Sequence, residues 1–194
     1  MRAPGGEHSG PIDDVTLARA ARGDAGAFRT LVLAYQQPVF ALLGRILARR
    51  GSQALVEDLA QETFVRVFKN LAGFGSDGRL NLTAWILTIA ARLAIDELRR
   101  QPRTHEPFDA VEHADEAARA DGEAERRRIG RAIERAVDDL QPEYRAAFLL
   151  REVHGLEYDA IAEALDIDIG TVKSRLWRAR NALRAALAGI YHEE

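Results

Sequence analysis

The last third of the sequence repeats apolar residues at helical spacing. Val172, Leu176, Ala179 and Leu183 recur every three or four residues, which places them on one buried face of a helix. The rest of that helix carries five cations and no acid: Lys173, Arg175, Arg178, Arg180 and Arg184. A shorter helical pattern at 158–165 precedes it across a brief break. A basic helix after a short helix and a tight turn is typical of a helix-turn-helix, so the pattern favours DNA as a partner.

Charge is segregated along the chain rather than spread evenly. The 194 residues are 47% hydrophobic, enough for one medium domain or two small ones, and carry a net charge of −3 with a pI near 6.0. Between His105 and Glu125 there are eight acids and one base. Such a density of like charge opposes compaction, so we expect a solvated linker there.

Several classes of function are disfavoured by composition. The chain has no cysteine, which excludes disulfides and thiolate metal sites, and its five histidines lack metal-ligand spacing. No apolar run approaches the roughly 20 residues that span a bilayer, and no apolar signal core stands at the N-terminus. A glycine-rich phosphate-binding loop normally follows a β-strand, and the sequence shows no strand pattern. We therefore expect a cytoplasmic protein without cofactor, metal, catalytic residues or membrane insertion.

Helical periodicity predicts an all-α fold of two small domains joined by a flexible acidic linker, the C-terminal one containing the helix-turn-helix. Asp13 or Asp14 and then Asp24 are expected to cap the first two helices, and Pro38 to bend the second or begin a new one. Further helices are expected near 55–71 and at 82–100. The expected domains are a tail at 1–11, a first domain at 12–102, a linker at 103–125 and a second domain at 126–194.

The second domain is expected to begin with a helix near Arg126. Its predicted buried face consists of Ile129, Ile133, Ala136, Val137 and Leu140. Pro142 is expected in the first turn of the next helix, which Gly155 ends.

Five short segments in order carry a resemblance to a known family. They are Gly23-Asp24 with Ala27-Phe28, Glu57–Phe64, Trp85–Ala90, Ala94–Arg100 and Gly170–Leu176. With these segments the sequence resembles the extracytoplasmic-function (ECF) sigma factors, the two-domain branch of the sigma-70 family. The sequence departs from the family where an arginine and an asparagine are customary, since Ala91 and Arg92 stand there.

The resemblance implies a factor that binds core RNA polymerase and promoter DNA. Asp58, Gln61 and Glu62 would dock on the clamp of the largest polymerase subunit, and the flap of the second-largest subunit would be a further contact. From the residues alone, a solvated helix surface is the favoured interpretation of this face, and only the resemblance reverses it. Most similar factors are held by an anti-sigma factor, so one is an expected partner.

The resemblance also assigns two sets of DNA contacts. For the melted minus-10 element they are Ser76, Asp77, Arg79, Asn81, Trp85, Arg92, Arg99 and Arg100, with the loop 76–81 as a base pocket and the arginines on the phosphates. Trp85 is as easily explained as a core residue. For the minus-35 duplex they are Thr171, Lys173, Ser174, Arg175, Trp177, Arg178 and Asn181.

Other interpretations stay open at this point. The chain would be a one-component regulator if its helix-turn-helix bound duplex DNA as a dimer, or an adaptor if its basic helix docked on protein. The acidic linker is either a plain spacer, a ligand of the RNA-exit path, or a mask that covers Arg92, Arg99, Arg100 or the basic helix in the free protein.

Overall fold

The computed structural model describes residues 11–48, 51–74, 81–100 and 121–188, with side chains from Arg126 onward in the last range. All regular structure in these ranges is helical, which confirms the predicted fold class. The helices are α1 (Asp14–Ala21), α2 (Ala25–Ile46), α3 (Gln53–Asn70), α4 (Leu82–Arg100), α5 (Asp121–Asp138), α6 (Pro142–Phe148), α7 (Tyr158–Leu165) and α8 (Ile169–Leu187). A 3-10 turn follows α3 at Leu71–Gly73, and a π-helical segment, Leu149–Val153, continues α6.

Side-chain caps determine where several helices begin. The carboxylates of Asp13 and Asp24 accept hydrogen bonds from the amides of Thr16 and Ala27, at 2.8 and 2.9 Å. These bonds satisfy amide groups that have no partner within the helix, as predicted. Ser52 caps α3 in the same way, a signal that the sequence reading missed.

The first unit, residues 11–100 as described, packs α2 against α1, α3 and α4. Its core holds Leu31, Tyr35 and Val39 of α2 and Ile86 of α4, all essentially inaccessible to water. Pro38 lies inside α2 and does not begin a new helix, because the buried residues on either side of it hold α2 continuous from Ala25 to Ile46.

The second unit, residues 121–188, packs α8 against α5, α6 and α7. Pro142 stands in the first turn of α6, as predicted. Helix α5 begins at Asp121, earlier than the predicted start near Arg126, so it takes in the last residues of the predicted linker. Ile133 is 40% exposed and was wrongly assigned to the core. Residues 103–120 of the predicted linker lie outside the described residues.

The two units are in contact and share a continuous apolar core. Helix α4 packs against α7, and α6 packs against both α2 and α4. The apolar cores of the two units are therefore joined in this arrangement.

Arg145 of α6 is the polar centre of this junction and is only 4% exposed. Its guanidinium donates to the carbonyls of Val137 and Leu140 at the end of α5, at 3.1 and 2.9 Å, and to that of Asp138. Nη1 also donates across the boundary to three carbonyls at the end of α2: Arg45 at 3.1 Å, Ile46 at 3.0 Å and Ala48 at 3.1 Å. One side chain thus satisfies the C-terminal carbonyls of two helices.

We expect the substitution Arg145→Lys to destabilise the protein strongly. Lysine keeps the charge but lacks the planar fork, so several buried carbonyls lose their donor at about 1–3 kcal/mol each. The predicted loss is about 3 kcal/mol or more in the free energy of unfolding, measured by urea denaturation. Arg29→Lys, at an exposed position of α2, is the control. Equal stability of the two variants would contradict the assignment.

Candidate nucleic-acid and polymerase surfaces

Helix α8 buries its apolar stripe and exposes the opposite face. Val172, Leu176, Ala179 and Leu183 are its buried residues. Trp177 is 65% exposed, and Lys173 one turn before it is also exposed. The prediction that Trp177 points outward rather than into the core is confirmed.

The arginines of α8 are oriented by partners on neighbouring elements. Arg178 donates from Nη1 to the Tyr144 hydroxyl at 2.8 Å, with its guanidinium 5.8 Å from the centre of that ring. Arg180 forms an ion pair with Glu152 at 2.6 Å. Arg184 donates to Asn181 Oδ1 at 2.7 Å within α8. These contacts hold the cations at the edges of the helix face.

Arg175 differs from the other cations of α8 because it is half-buried. Burial lowers the pKa of its guanidinium, nearby Glu143 raises it, and nearby Arg99 of α4 lowers it again. Arg175 was predicted to contact minus-35 DNA. The charge of Arg99, a residue predicted for the minus-10 element, also acts on Arg175 in this arrangement.

Asp168 caps the first turn of α8. Its Oδ1 accepts from the amide of Thr171 at 2.8 Å and its Oδ2 from the Thr171 hydroxyl at 2.6 Å. The Ser174 hydroxyl donates to the Thr171 carbonyl at 2.9 Å. The hydroxyls of Thr171 and Ser174, both predicted to contact DNA, therefore donate their hydrogens within the protein. Toward a ligand they can act only as hydrogen-bond acceptors.

We expect Asp168→Ala to lower the thermal midpoint of the protein at pH 7, and Asp168→Asn to retain most of it, because asparagine also caps helices. The Thr171 hydroxyl and amide lower the pKa of Asp168 below its ordinary 3.8. A lowered folded pKa makes the stabilisation complete above the ordinary value and lost as the pH falls through the folded pKa.

The measurement is thermal unfolding by circular dichroism at neutral and acidic pH. The gap between the wild-type protein and Asp168→Ala should close in acid. A gap that stayed constant would show that the carboxylate is not the stabilising group.

The predicted polymerase face lies on α3 and is accessible. Asp58 and Gln61 are exposed, and Glu62 is partly exposed and bonded to Arg66 Nε at 2.8 Å. Phe68, two turns beyond Gln61, is 51% exposed and packs edge-on against Phe28 with ring centres 5.0 Å apart. Phe68 therefore adds an apolar surface beside the acidic one.

The residues predicted for the minus-10 element are only partly described. Ser76, Asp77 and Arg79 lie outside the described residues. Asn81 accepts from the Ala84 amide at 2.7 Å, which makes it a cap of α4. Trp85 is partly buried against Phe74, with ring centres 4.9 Å apart, so it is packed and still accessible at one edge.

The three arginines predicted to follow the DNA backbone have different surroundings. Arg99 and Arg100 are exposed near the end of α4, beside Asp96 at 3.7 Å and Glu97 at 3.6 Å. Arg92 instead donates to the carbonyl of Ala164 at 2.8 Å and to that of Glu163, at the end of α7. Arg92 is also exposed, so its guanidinium contacts the second unit and remains accessible to solvent.

Two searches of the described residues gave negative results. No described helix is long and apolar enough to cross a membrane. In the same ranges, no group of three histidine, aspartate or glutamate side chains is placed to hold a metal ion.

Comparison with known proteins assigns both units. The family model Sigma-70 region 2 matches residues 31–104, and Sigma-70, region 4 matches residues 130–183. The ECF RNA polymerase sigma-E factor of Haemophilus influenzae is 30% identical over 181 residues, covering 88% of this chain and 93% of that protein. The chain belongs to the ECF sigma factors of the sigma-70 family. As predicted, it is an RNA polymerase sigma factor, and the one-component regulator is not favoured.

Other ECF sigma factors give the same result. The ECF RNA polymerase sigma factor SigE of Mycolicibacterium smegmatis is 34% identical over 87% of this chain, which spans 65% of that protein. The fold matches CnrH in complex with the cytosolic domain of CnrY, with 23% identity, a TM-score of 0.59, and coverage of 90% of this chain and 96% of that one. It also matches the sigma factor RpoE in complex with the anti-sigma factor NepR from Bartonella quintana, with 24% identity, a TM-score of 0.63, and coverage of 83% and 96%.

Proposed function

We propose that this sigma factor divides its contacts between two units. The first, predicted at 12–102, binds core RNA polymerase through α3 and holds the melted minus-10 strand with α4. The second, predicted at 126–194, reads the minus-35 duplex with α8. The factor acts in the cytoplasm and performs no covalent chemistry. The supporting observation is that the two units expose surfaces of opposite charge. The α3 face is acidic and apolar, and the α8 face is basic and aromatic.

The α8 face suits the major groove for reasons of geometry and charge. A helix backed by a buried stripe can enter the groove as a rigid body. Lys173 supplies a cation for a phosphate, and Trp177 a flat apolar surface for a sugar or a thymine methyl. Arg178, held by Tyr144, is positioned before DNA arrives, which reduces the entropy lost on binding.

We expect Lys173→Ala and Trp177→Ala to weaken promoter binding by polymerase assembled with the factor. Loss of one phosphate contact should reduce the slope of log affinity against log salt by about one for Lys173→Ala. Trp177→Ala should leave that slope unchanged while lowering affinity. The measurement is fluorescence anisotropy on a minus-35 duplex across a salt series.

Arg22→Ala is the matched control, since it removes one exposed cation from the first unit. Equal salt slopes for Lys173→Ala and wild-type protein would place the phosphate contact elsewhere. Loss of core polymerase binding by either α8 variant would show that the polymerase interface lies on the second unit rather than on α3.

The α3 face suits a basic protein partner. Acidic and amide side chains beside the exposed Phe68 combine charge that orients a partner with apolar area that stabilises the complex. Asp58 is the better probe than Glu62, because replacing Glu62 also breaks its bond to Arg66.

We expect Asp58→Lys to weaken core polymerase binding at least about tenfold, through charge reversal at an interface. The measurement is competition for purified core polymerase, with helicity followed by circular dichroism. Asp159→Lys makes the same charge change at an exposed position of α7 and should bind core polymerase normally. Indistinguishable affinities for the two variants would reject the α3 interface.

An anti-sigma factor is proposed as a further partner. The Bartonella RpoE structure is that of a sigma factor bound to the anti-sigma factor NepR. Co-purification of this protein from its host, with and without core polymerase, tests whether such a partner holds it.

A further inference from the structure

Two arginines of α8 have neutral partners, and a third has a carboxylate. Arg178 and Arg184 donate to a phenol hydroxyl and to an amide oxygen, at 2.8 and 2.7 Å. A neutral acceptor leaves the charge of the guanidinium uncompensated. Arg180 instead donates from Nε and Nη2 to one carboxylate oxygen of Glu152, at 3.2 and 2.6 Å. The charge of Arg180 is therefore offset within the protein.

Arg180 belongs to the side of α8 that also carries Lys173 and Trp177. The spacing i, i+4, i+7 places these three residues in one row along the helix. All three are exposed. When a helix lies in the major groove, its flanks are next to the phosphates of the two strands. Arg180 therefore lies one turn beyond Trp177 in the row that would run along the DNA backbone.

Glu152 is held in position by an unusual local structure. It lies in the π-helical segment Leu149–Val153, where the amide of His154 donates to the carbonyl five residues earlier at 3.1 Å. Such a turn carries one residue more than an α-turn, which shifts the side chains after it around the helix axis. Arg151 closes the segment by donating to the carbonyl of Leu156 at 2.8 Å. The direction of Glu152 is thus determined by the main chain around it.

Tyr158, the first residue of α7, completes the surroundings of Arg180. Hydrogen bonding to Glu152 and to the Tyr158 hydroxyl raises the pKa of Arg180. The Tyr158 ring also lies under the guanidinium of Arg151, 5.1 Å from the ring centre. The side chains of Arg180 and Glu152 are 45% and 40% exposed, so the pair is accessible to solvent and to a ligand. An accessible ion pair is weak enough to open when one partner is altered.

We propose that Glu152 is a positioning residue that keeps Arg180 away from the phosphate backbone and so limits the sequence-independent affinity of α8 for DNA. The proposal rests on the function proposed above, in which α8 meets the minus-35 duplex. A cation that is neutralised within the protein displaces no counterion from DNA, so it adds nothing to binding that depends on phosphates alone. Because a genome offers a large excess of non-specific sites, each further phosphate contact strengthens binding to all of them.

Glu152→Gln tests the proposal with little change of shape. Glutamine keeps an oxygen that accepts from Arg180 but carries no charge, so Arg180 acquires a neutral partner. We expect polymerase assembled with this variant to bind duplex about threefold more tightly at low salt. The slope of log affinity against log salt should become steeper by about one. The measurement is fluorescence anisotropy across a salt series.

Two duplexes show whether the gain depends on sequence. One carries the minus-35 element, and in the other that element is scrambled. Phosphates carry no sequence information, so the gain from Glu152→Gln should be the same on both. A gain confined to the minus-35 duplex would overturn the proposal, because Arg180 would then be reading bases.

Glu163→Gln is the matched control, since it removes the same charge from an exposed position of α7. It should leave both the affinity and the slope at their wild-type values. The gain from Glu152→Gln should also disappear when Arg180→Ala is combined with it, because the released cation is then missing. Helicity and the thermal midpoint, measured by circular dichroism, should be close to wild type for each variant, since an exposed ion pair contributes little to stability.

Two results with Glu152→Gln would reject the role of Glu152. An unchanged salt slope would mean that this residue only braces the helices. Weaker binding to both duplexes at unchanged helicity would mean that Glu152 places Arg180 on DNA instead of restraining it.

Lys173→Ala separates this proposal from the proposed function. If Lys173→Ala flattens the salt slope while Glu152→Gln leaves it unchanged, the role of Glu152 alone is rejected. If neither variant alters the slope, α8 is not the surface that meets DNA, and the proposed function fails together with the inference.

Discussion

The arrangement of the helices depends on one buried guanidinium. Arg145 gathers carbonyls from the ends of α2 and α5 around α6, which is shorter than two turns before it widens into the π-helical segment. A buried cation is costly unless its donors are satisfied. Here the helix ends supply the acceptors. The buried guanidinium therefore has hydrogen-bond partners, and so do the carbonyls that lack a donor within their own helices. The position of α6 in turn fixes Tyr144, and through it Arg178 on the exposed face of α8.

Local features of this fold were predictable from the sequence because their causes lie within a few residues. The Asp13, Asp24 and Asp168 caps follow from side chains that reach the amide three residues ahead. The bounds of α4 and the buried stripe of α8 follow from periodicity. The same reasoning failed for Ile133, which lies at an apolar position of an amphipathic helix whose buried stripe is narrower than the pattern suggests.

The contacts between the units could not be predicted, since they join residues far apart in the chain. Arg92 donates to main-chain carbonyls, which any sequence supplies, so no residue pattern predicts this contact. Arg92 also stands at a departure from the family, next to Ala91, which is fully buried. Arg175 was assigned to the exposed face of α8, whereas it is half-buried and burial lowers its pKa.

The contact between Tyr144 and Arg178 has a consequence for how this factor can diverge from its relatives. The tyrosine lies on α6 and the arginine on α8, so the freedom of one cation on the exposed α8 face depends on a residue 34 positions earlier in the chain. A side chain that is already held in place loses less entropy when it binds a ligand. A substitution at position 144 therefore alters how firmly α8 holds a partner while every residue of α8 stays the same.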